Sequence, residues 1–197
     1  MNSFVLCLLT VVAFGSCLKL YLVIELGNRT YGLLQKYDQI KLIGLSKPEN
    51  INAKLDFGPL TTTLTIEATY SELSIETDSE SQGTIVLLPV NVKTPVVFTF
   101  IDPTFTFSFE LEEYEKGATY FRVIDTKFEM QTQGGKFDYK HFFSNKILNE
   151  EFNNAMDAKW EQIFVLFKGF DEAMFAPYFG ATFNDFLKKI PVAELFD

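Results

Sequence analysis

The apolar residues of this chain follow one period up to about Lys140 and another beyond it. In the first stretch they recur at every second position, the spacing of side chains that share one face of a strand. From Leu148 they recur in steps of three and four, through Phe152, Met156, Trp160, Phe164, Phe167, Met174, Tyr178, Phe186 and Ile190. That spacing is one face of a helix. A long helix with an apolar stripe is not stable alone, and a sheet with an apolar face has the same need, so each must bury the other. The expected fold class is α+β, a strongly curved antiparallel sheet wrapped along one long C-terminal helix. Gly169 and Pro177 interrupt the helical pattern and predict a kink or a break. Asn145 or Ser144 can cap the start of the helix, Glu150 and Glu151 suit its first turns, and Pro191 ends it.

The strand half divides at its turn residues. Residues 20–26 form a β-rich run closed by Gly27-Asn28, and residues 40–43 form another closed by Gly44. Further runs cover residues 61–70 and 84–92, where Pro89 predicts an edge or a bulge. Phe98 and Phe100 precede a turn at Asp102-Pro103, and Phe105, Phe107, Phe109 and Leu111 then alternate with Thr104, Thr106, Ser108 and Glu110. A charged turn is expected over 112–117, a strand over 120–132, and a last strand over 136–140 after Gly134-Gly135. Tight turns between neighbouring strands imply a mostly antiparallel meander. No repeat or linker marks a second domain, so residues 18–197 are expected to form one.

The first seventeen residues carry no charge. An apolar run from Phe4 to Phe14 leads into Gly15, Ser16 and Cys17, the layout of a cleaved secretory leader, with cutting after Gly15 or Cys17. Lys19 makes the apolar run too short for a bilayer span, although an uncleaved anchor is the competing assignment. Cys7 and Cys17 are the two cysteines, so no disulfide is expected within the mature chain. Asn28-Arg29-Thr30 is an N-glycosylation sequon, in keeping with a secreted, extracellular protein. The formal net charge of −9 argues against nucleic acid as a partner and against strong attraction to anionic membranes.

The residues offer no catalytic constellation and no metal site. His141 is the single histidine and lies beside Phe142-Phe143, so a structural role is expected of it. No G-x-S-x-G elbow, P-loop or dinucleotide-binding glycine pattern is present. Glu110, Glu112, Glu113 and Glu115 fall in the predicted turn beside Gly117, where a solvated loop is the expected role. No cofactor is expected, and no enzyme activity.

Phenylalanine is the outstanding feature of composition, with 22 among 197 residues against one tryptophan. So many rings either fill a core or hold two layers apart around a dry cavity that accepts apolar guests. Composition alone leaves both open. If there is a cavity, face alternation and helical spacing assign its walls to Phe98, Phe100, Phe105, Phe107 and Phe109 of the sheet and to Trp160, Phe164 and Phe167 of the helix.

Several segments in order resemble a known family. Phe143-Ser144-Asn145, Leu148, Phe152-Asn153-Asn154-Ala155-Met156 and Lys159-Trp160-Glu161-Gln162-Ile163-Phe164 resemble the start of the long helix in the takeout and haemolymph juvenile hormone-binding protein family of insects. Residues 186–196 resemble that family's last helical turn and tail, and residues 40–46 and 83–89 are similar to two of its strands. The resemblance implies a long helix in a curved antiparallel sheet, a roll shared with bactericidal/permeability-increasing protein and group 7 mite allergens. It also implies an elongated apolar tunnel for a terpenoid, fatty acid or similar lipid, carried in haemolymph or sensory fluid. The N-terminal helix and disulfide-forming cysteine pair usual in the family have no counterpart, because Leu18-Lys19-Leu20 follows the leader directly. A glycine-rich stretch is replaced by Asn91-Val92-Lys93-Thr94-Pro95, and the Leu-Asn pair before the helix tryptophan reads Met156-Asp157. The expected function is a secreted carrier that binds a small apolar ligand reversibly. The alternatives are a ligand-free extracellular interaction protein with a filled core and a membrane-anchored variant.

Overall fold

The computed structural model describes residues 17–18, 22–27, 32–85 and 88–195. These form two antiparallel sheets and three helices, which is the expected α+β class. The strands are β1 (Cys17–Leu18), β2 (Leu22–Gly27), β3 (Gly32–Ile43), β4 (Asn50–Phe57), β5 (Thr62–Thr69), β6 (Glu72–Ile85), β7 (Leu88–Ile101), β8 (Thr104–Glu115), β9 (Thr119–Gln131) and β10 (Gly134–Tyr139). One sheet runs β1-β3-β6-β7-β10, with β2 also paired to β3; the other runs β4-β5-β8-β9.

The two orders are one meander counted twice. β3 with β4, β5 with β6, β7 with β8, and β9 with β10 are four long strands, and each passes from one sheet into the other at a short interruption. The interruptions fall at 44–49, 70–71, 102–103 and 132–133, so all four lie at one level of the ladder. Hydrogen bonds continue across it. The Tyr70 N–H donates to the Pro103 carbonyl at 3.0 Å, Asp102 N–H to Ser71 at 2.9 Å, Gln133 N–H to Ile101 at 2.9 Å and Glu49 N–H to Thr69 at 2.8 Å. Residue types at this level fit the bend. Gly44 has φ +96°, and a Cβ there would lie 3.1 Å from the Glu72 carbonyl oxygen. Asp102 has φ +48°, a left-handed conformation that aspartate tolerates better than most residues.

Alternation then decides which face is inside. In β8 every second residue from Phe105 to Leu111 is buried, as the sequence pattern predicts. In β3 a bulge between Asp38 and Lys41, with Gln39 at φ +55°, resets the alternation. Gln35 and Tyr37 before it and Ile40 and Leu42 after it all stay on the buried face. The expected run over 84–92 is not one strand. Thr84 and Ile85 end β6, while Leu88 and Pro89 begin β7 and pair back onto them. The β8 strand likewise reaches Glu115, and the turn that follows is held by a Lys116 N–H to Ala118 carbonyl bond of 2.9 Å.

The C-terminal pattern gives α1 (Lys146–Asp157), α2 (Trp160–Leu187) and the short α3 (Val192–Leu195). The expected single long helix is therefore divided, and the division falls at 158–159, away from Gly169 and Pro177. Lys159 leaves helical geometry at φ −117° and ψ 18°, and its N–H turns back to the Met156 carbonyl at 3.0 Å. Pro177 is tolerated because it and Ala173, whose carbonyl it deprives of a partner, both lie on the exposed side of α2. Asn145 caps α1 through a 3.1 Å bond from the Leu148 N–H.

What forces the break is the tie between α1 and the outer edge of β10. Asn149, Asn153 and Asp157 are spaced by four and share one face of α1. The Phe137 N–H donates to Asp157 Oδ1 at 2.7 Å, and the Tyr139 N–H donates to Asn153 Oδ1 at 3.1 Å. Asn149 and Asn153 return Nδ2 bonds of 2.8 and 3.2 Å to the Tyr139 carbonyl. Asn149 Oδ1 also accepts from the Phe143 N–H at 3.1 Å. Side chains thus take the place of a further strand along the Phe137–Tyr139 part of the β10 edge. Replacing Asn153 with leucine leaves the Tyr139 N–H without its acceptor, while Asn149 still serves the carbonyl, and should cost about 1–3 kcal/mol in urea unfolding. Asp157→Asn keeps an acceptor for Phe137 and should cost under about 1 kcal/mol in the same assay.

Candidate ligand-binding interior

The interior is built from phenyl rings, arranged in groups rather than one continuous lining. Under the four-stranded sheet, Phe105, Phe107 and Phe109 of β8 and Phe128 of β9 meet Phe175, Phe179 and Phe183 of α2. Ring centroids are 4.7 Å apart for Phe107–Phe179, 4.4 Å for Phe109–Phe183 and 5.5 Å for Phe128–Phe175. These rings are all buried, and offset or edge-on pairs of this kind add to the area they bury. Tyr70, at the bend, closes the group through a 5.5 Å contact with Phe105.

The six-stranded sheet carries a second group. Phe98 lies 5.7 Å from Tyr37, 5.4 Å from Phe137 and 6.2 Å from Tyr139. Tyr139 continues to Phe142 and Phe152, which stack at 4.3 Å. Between the two groups Phe100 meets Phe164 at 6.3 Å, and Phe164 meets Trp160 at 6.4 Å. These three are only half-buried. Gly135 of β10 makes room for the indole, since a Cβ there would come within 3.3 Å of Trp160.

The structure thus places the sequence-predicted lining residues in three settings. It brings Phe105, Phe107 and Phe109 together in the tightest packing, places Phe98 with the tyrosines, and joins Phe100 to Trp160 and Phe164. The side chain of Phe167 lies outside the described residues, as do Asn28 and the leader before Cys17. Cys17 itself pairs with Lys41 in β1. Sequence periodicity selects the wrong face for the second half of α2. The buried stripe is Phe175, Phe179, Phe183 and Leu187, whereas the expected Tyr178 and Phe186, and Ile190 just beyond the helix, are only partly buried. Residues around this helix are apolar on nearly every side, so spacing alone does not single out one face.

A polar island also went unread. Gln35 and Tyr37 of β3, Ser79 and Ser81 of β6 and Tyr139 of β10 are buried on the inner face of the six-stranded sheet. Gln35 Nε2 donates to Ser81 Oγ at 3.2 Å and approaches Tyr139 Oη at 3.4 Å. The Tyr37 hydroxyl donates to Gln35 Oε1 at 3.0 Å and lies 3.3 Å from Tyr139 Oη. Burial, more than any other cause, pushes both phenols above their ordinary range, so they stay neutral. Two buried hydroxyls, Ser79 Oγ and Tyr70 Oη, have no hydrogen-bond partner among the described residues.

The rest of the molecule offers less. An open groove of about 620 Å³ runs between β9 and α2, past Ile124, Thr126, Ala173, Pro177 and Ala181. Gly180 lets α2 approach there, since a Cβ would overlap Thr126 Oγ1. His141 is exposed, and its backbone N–H donates to Thr94 Oγ1 at 2.9 Å. In the acidic stretch Glu112 accepts from Arg122 Nε at 2.7 Å and Glu115 from Thr119 at 2.6 Å, as solvated ends of β8 and β9. Among the described residues no cluster of three or more His, Cys, Asp or Glu side chains could hold a metal, and no helix is long and apolar enough to cross a membrane.

A meander bent into two sheets, closed by helices along its last strand around a ring-lined interior, defines an architectural class of apolar-cored rolls. The chain belongs to the haemolymph juvenile hormone binding protein family, whose sequence model matches residues 20–197. The crystal structure of Epiphyas postvittana Takeout 1 has the same fold, with a TM-score of 0.70 and 16% identity over 91% of this chain and 82% of that one. The crystal structure of lipopolysaccharide binding protein aligns with a TM-score of 0.41 and 8% identity, over 91% of this chain and 39% of that one. No curated protein matches the sequence.

The contrast between tight and loose ring groups is measurable. Phe179→Ala removes a fully buried ring that touches Phe107, Phe128 and Phe175, and should cost about 3–5 kcal/mol in chemical denaturation. Phe164→Ala, at a half-buried position, should cost under about 2 kcal/mol.

Proposed function

We propose that this protein is a secreted carrier that holds a small apolar molecule reversibly and performs no chemistry on it. The ligand class is a terpenoid of the juvenile hormone kind, a fatty acid or a similar lipid. The observation that carries the proposal is the half-buried ring group, in a chain that belongs to a family described by hormone binding. Phe100, Trp160 and Phe164 stand half-buried between two closed groups, at the level where α2 begins and the sheets meet. An apolar guest needs walls of this composition and rings that are not sealed within a packed core. We assign the ligand-facing wall to Phe98, Phe100, Trp160 and Phe164, continued by Phe167, with Phe105, Phe107 and Phe109 forming its packed end. Cleavage of the leader and glycosylation at Asn28 complete the proposal, and the haemolymph is the compartment it implies.

The tight packing under the four-stranded sheet favours the rival assignment, an extracellular interaction protein with a filled core. Native mass spectrometry of protein secreted from insect cells, followed by solvent extraction, separates the two. A carrier should release a stoichiometric apolar molecule, and it should take up N-phenyl-1-naphthylamine once stripped. A protein that is empty and also refuses the probe is the filled-core protein. Phe100→Glu should weaken probe uptake at least tenfold, because a carboxylate in an apolar wall lacks a partner.

A further inference from the structure

The edges of the two sheets are not treated alike. α2 runs along β9, α1 is bonded to β10, and β3 carries β1 and β2 on its outer side. β4, which continues β3 across the fold line, pairs with β5 and with no other strand among the described residues. Its side chains divide between two faces. Ile51, Ala53, Leu55 and Phe57 lie in register with the inward row Ala68, Ile66, Leu64 and Thr62 of β5, while Asn50, Asn52, Lys54 and Asp56 face solvent. The inward row is open at the hairpin end, where Phe57 is 72% exposed and Leu60, in the turn that follows, 88%.

The backbone of β4 presents a matching row. The Gly58 N–H donates to the Thr61 carbonyl at 2.9 Å, which makes these two a hydrogen-bonded pair. Such pairs recur at every second residue of an antiparallel ladder, so Asp56, Lys54 and Asn52 also bond to β5. The N–H and C=O groups of Ile51, Ala53, Leu55 and Phe57 therefore point to the open side.

We propose that this edge is the interface for a second copy of the chain, with β4 paired antiparallel to its counterpart about a two-fold axis at Leu55. The charges select that register. Centring the axis on Lys54 sets lysine against lysine, and centring it on Asp56 sets aspartate against aspartate, both of which are destabilising. Centring on Ala53 leaves Lys54 opposite Asn52 and carries Phe57 past the end of the strand. Centred on Leu55, each Lys54 faces the partner's Asp56, at the non-hydrogen-bonded positions where opposed side chains come closest. Lys54 Nζ already lies 2.8 Å from Asp56 Oδ2 within the strand, so the four charges form a square of alternating sign. On the inner face Phe57 falls opposite the partner's Ala53, a large ring beside a small side chain, and the open end of the row is covered. Lysine on an exposed edge ordinarily repels a further strand. Here the residue two positions along supplies its counter-charge, and two four-stranded sheets become one of eight strands.

Sedimentation equilibrium of the protein secreted from insect cells, from about 5 to about 500 μM, tests this pairing. Wild type should show a reversible monomer–dimer equilibrium. Lys54→Asp and Asp56→Lys should each weaken it at least roughly tenfold, because two attractive pairs become repulsive, and the double variant should restore it. Both side chains are more than half exposed, so the melting temperatures should stay close to that of wild type, which separates lost pairing from lost folding. Leu55→Cys should cross-link two copies under mild oxidation well above the wild-type background, since the Cα atoms of a hydrogen-bonded pair, about 5.5 Å apart, are within disulfide reach. Asn52→Cys should not. A wild type that stays monomeric throughout, or a dimer that survives the single charge reversals, would overturn the interface. Failure of the double variant to recover, or cross-linking no greater at position 55 than at 52, would overturn the register and the charge pairing that selects it.

Discussion

A strand that runs through two sheets can bend only where its neighbours bend, because a kink in one strand alone breaks the ladder on both sides. In this protein four strands obey that rule, and the interruptions at 44–49, 70–71, 102–103 and 132–133 are bonded to one another across the fold line. Everything inside the molecule follows from this shared line. Residues that alternate inward before the bend must still alternate inward after it, or the two halves would present opposite faces. Phe98 and Phe100 before the line, and Phe105 to Phe109 after it, satisfy this condition along one long strand. The bulge at Gln39 does the corresponding work in β3, where an uninterrupted alternation would have put Ile40 and Leu42 outside.

A bent sheet still has edges, and the helices close the ones on the last strand by two different means. At β10 the means is polar, with three side chains of α1 bonding the Phe137 and Tyr139 backbone where a further strand would pair. At β9 it is mainly apolar, with Phe175, Phe179 and Phe183 reaching under the sheet and Asn184 Oδ1 accepting from the Val123 N–H at 3.0 Å. The division of the helix at 158–159 reconciles them. α1 needs its amide face aligned with the β10 edge, and α2 needs its aromatic face turned under β8 and β9. One rigid cylinder cannot serve both, so the chain breaks its helix where the requirement changes, although neither glycine nor proline stands there.

How far the sequence discloses this depends on how cleanly each segment separates inside from outside. β8 is legible because phenylalanine alternates with threonine and serine without exception. β6 went unread as a strand because its inner residues pass from Leu73 and Ile75 to Thr77, Ser79 and Ser81, and polarity no longer separates the faces. A subtler alternation was present, with acidic or amide side chains at Glu72, Glu76, Asp78, Glu80 and Gln82 facing out, and uncharged residues facing in. In α2 the difficulty is reversed, because apolar residues surround the axis and the spacing is compatible with several faces. The four-residue spacing of Asn149, Asn153 and Asp157 was visible, but what an amide stripe binds is settled only when a strand edge is placed beside it. Periodicity already predicts a curved sheet wrapped along a helix, and the resemblance to the takeout family, carried by ordered short segments, implies the same roll.

The interior that results is not uniform, and its variation has a direction. Beneath the four-stranded sheet, rings touch rings on every side, and burial there is spent on stability. At the fold line Phe100, Phe164 and Trp160 are less committed, and beyond it the six-stranded sheet ends in a neutral polar island. A core selected only for stability gains nothing from such a gradient, since replacing a buried hydroxyl by a methyl of similar size removes a desolvation cost. A core that must also admit a guest does gain from it. Under the proposed carrier function, the tight end would hold the two layers together when the guest is absent, and the half-buried middle would yield to apolar bulk. The alternation that turns Lys36, Glu80 and Lys93 away from the face of Gln35, Tyr37, Ser79 and Ser81 sorts charged from neutral polar side chains, so the strand pairing that builds the sheet also sets the chemistry of its two faces.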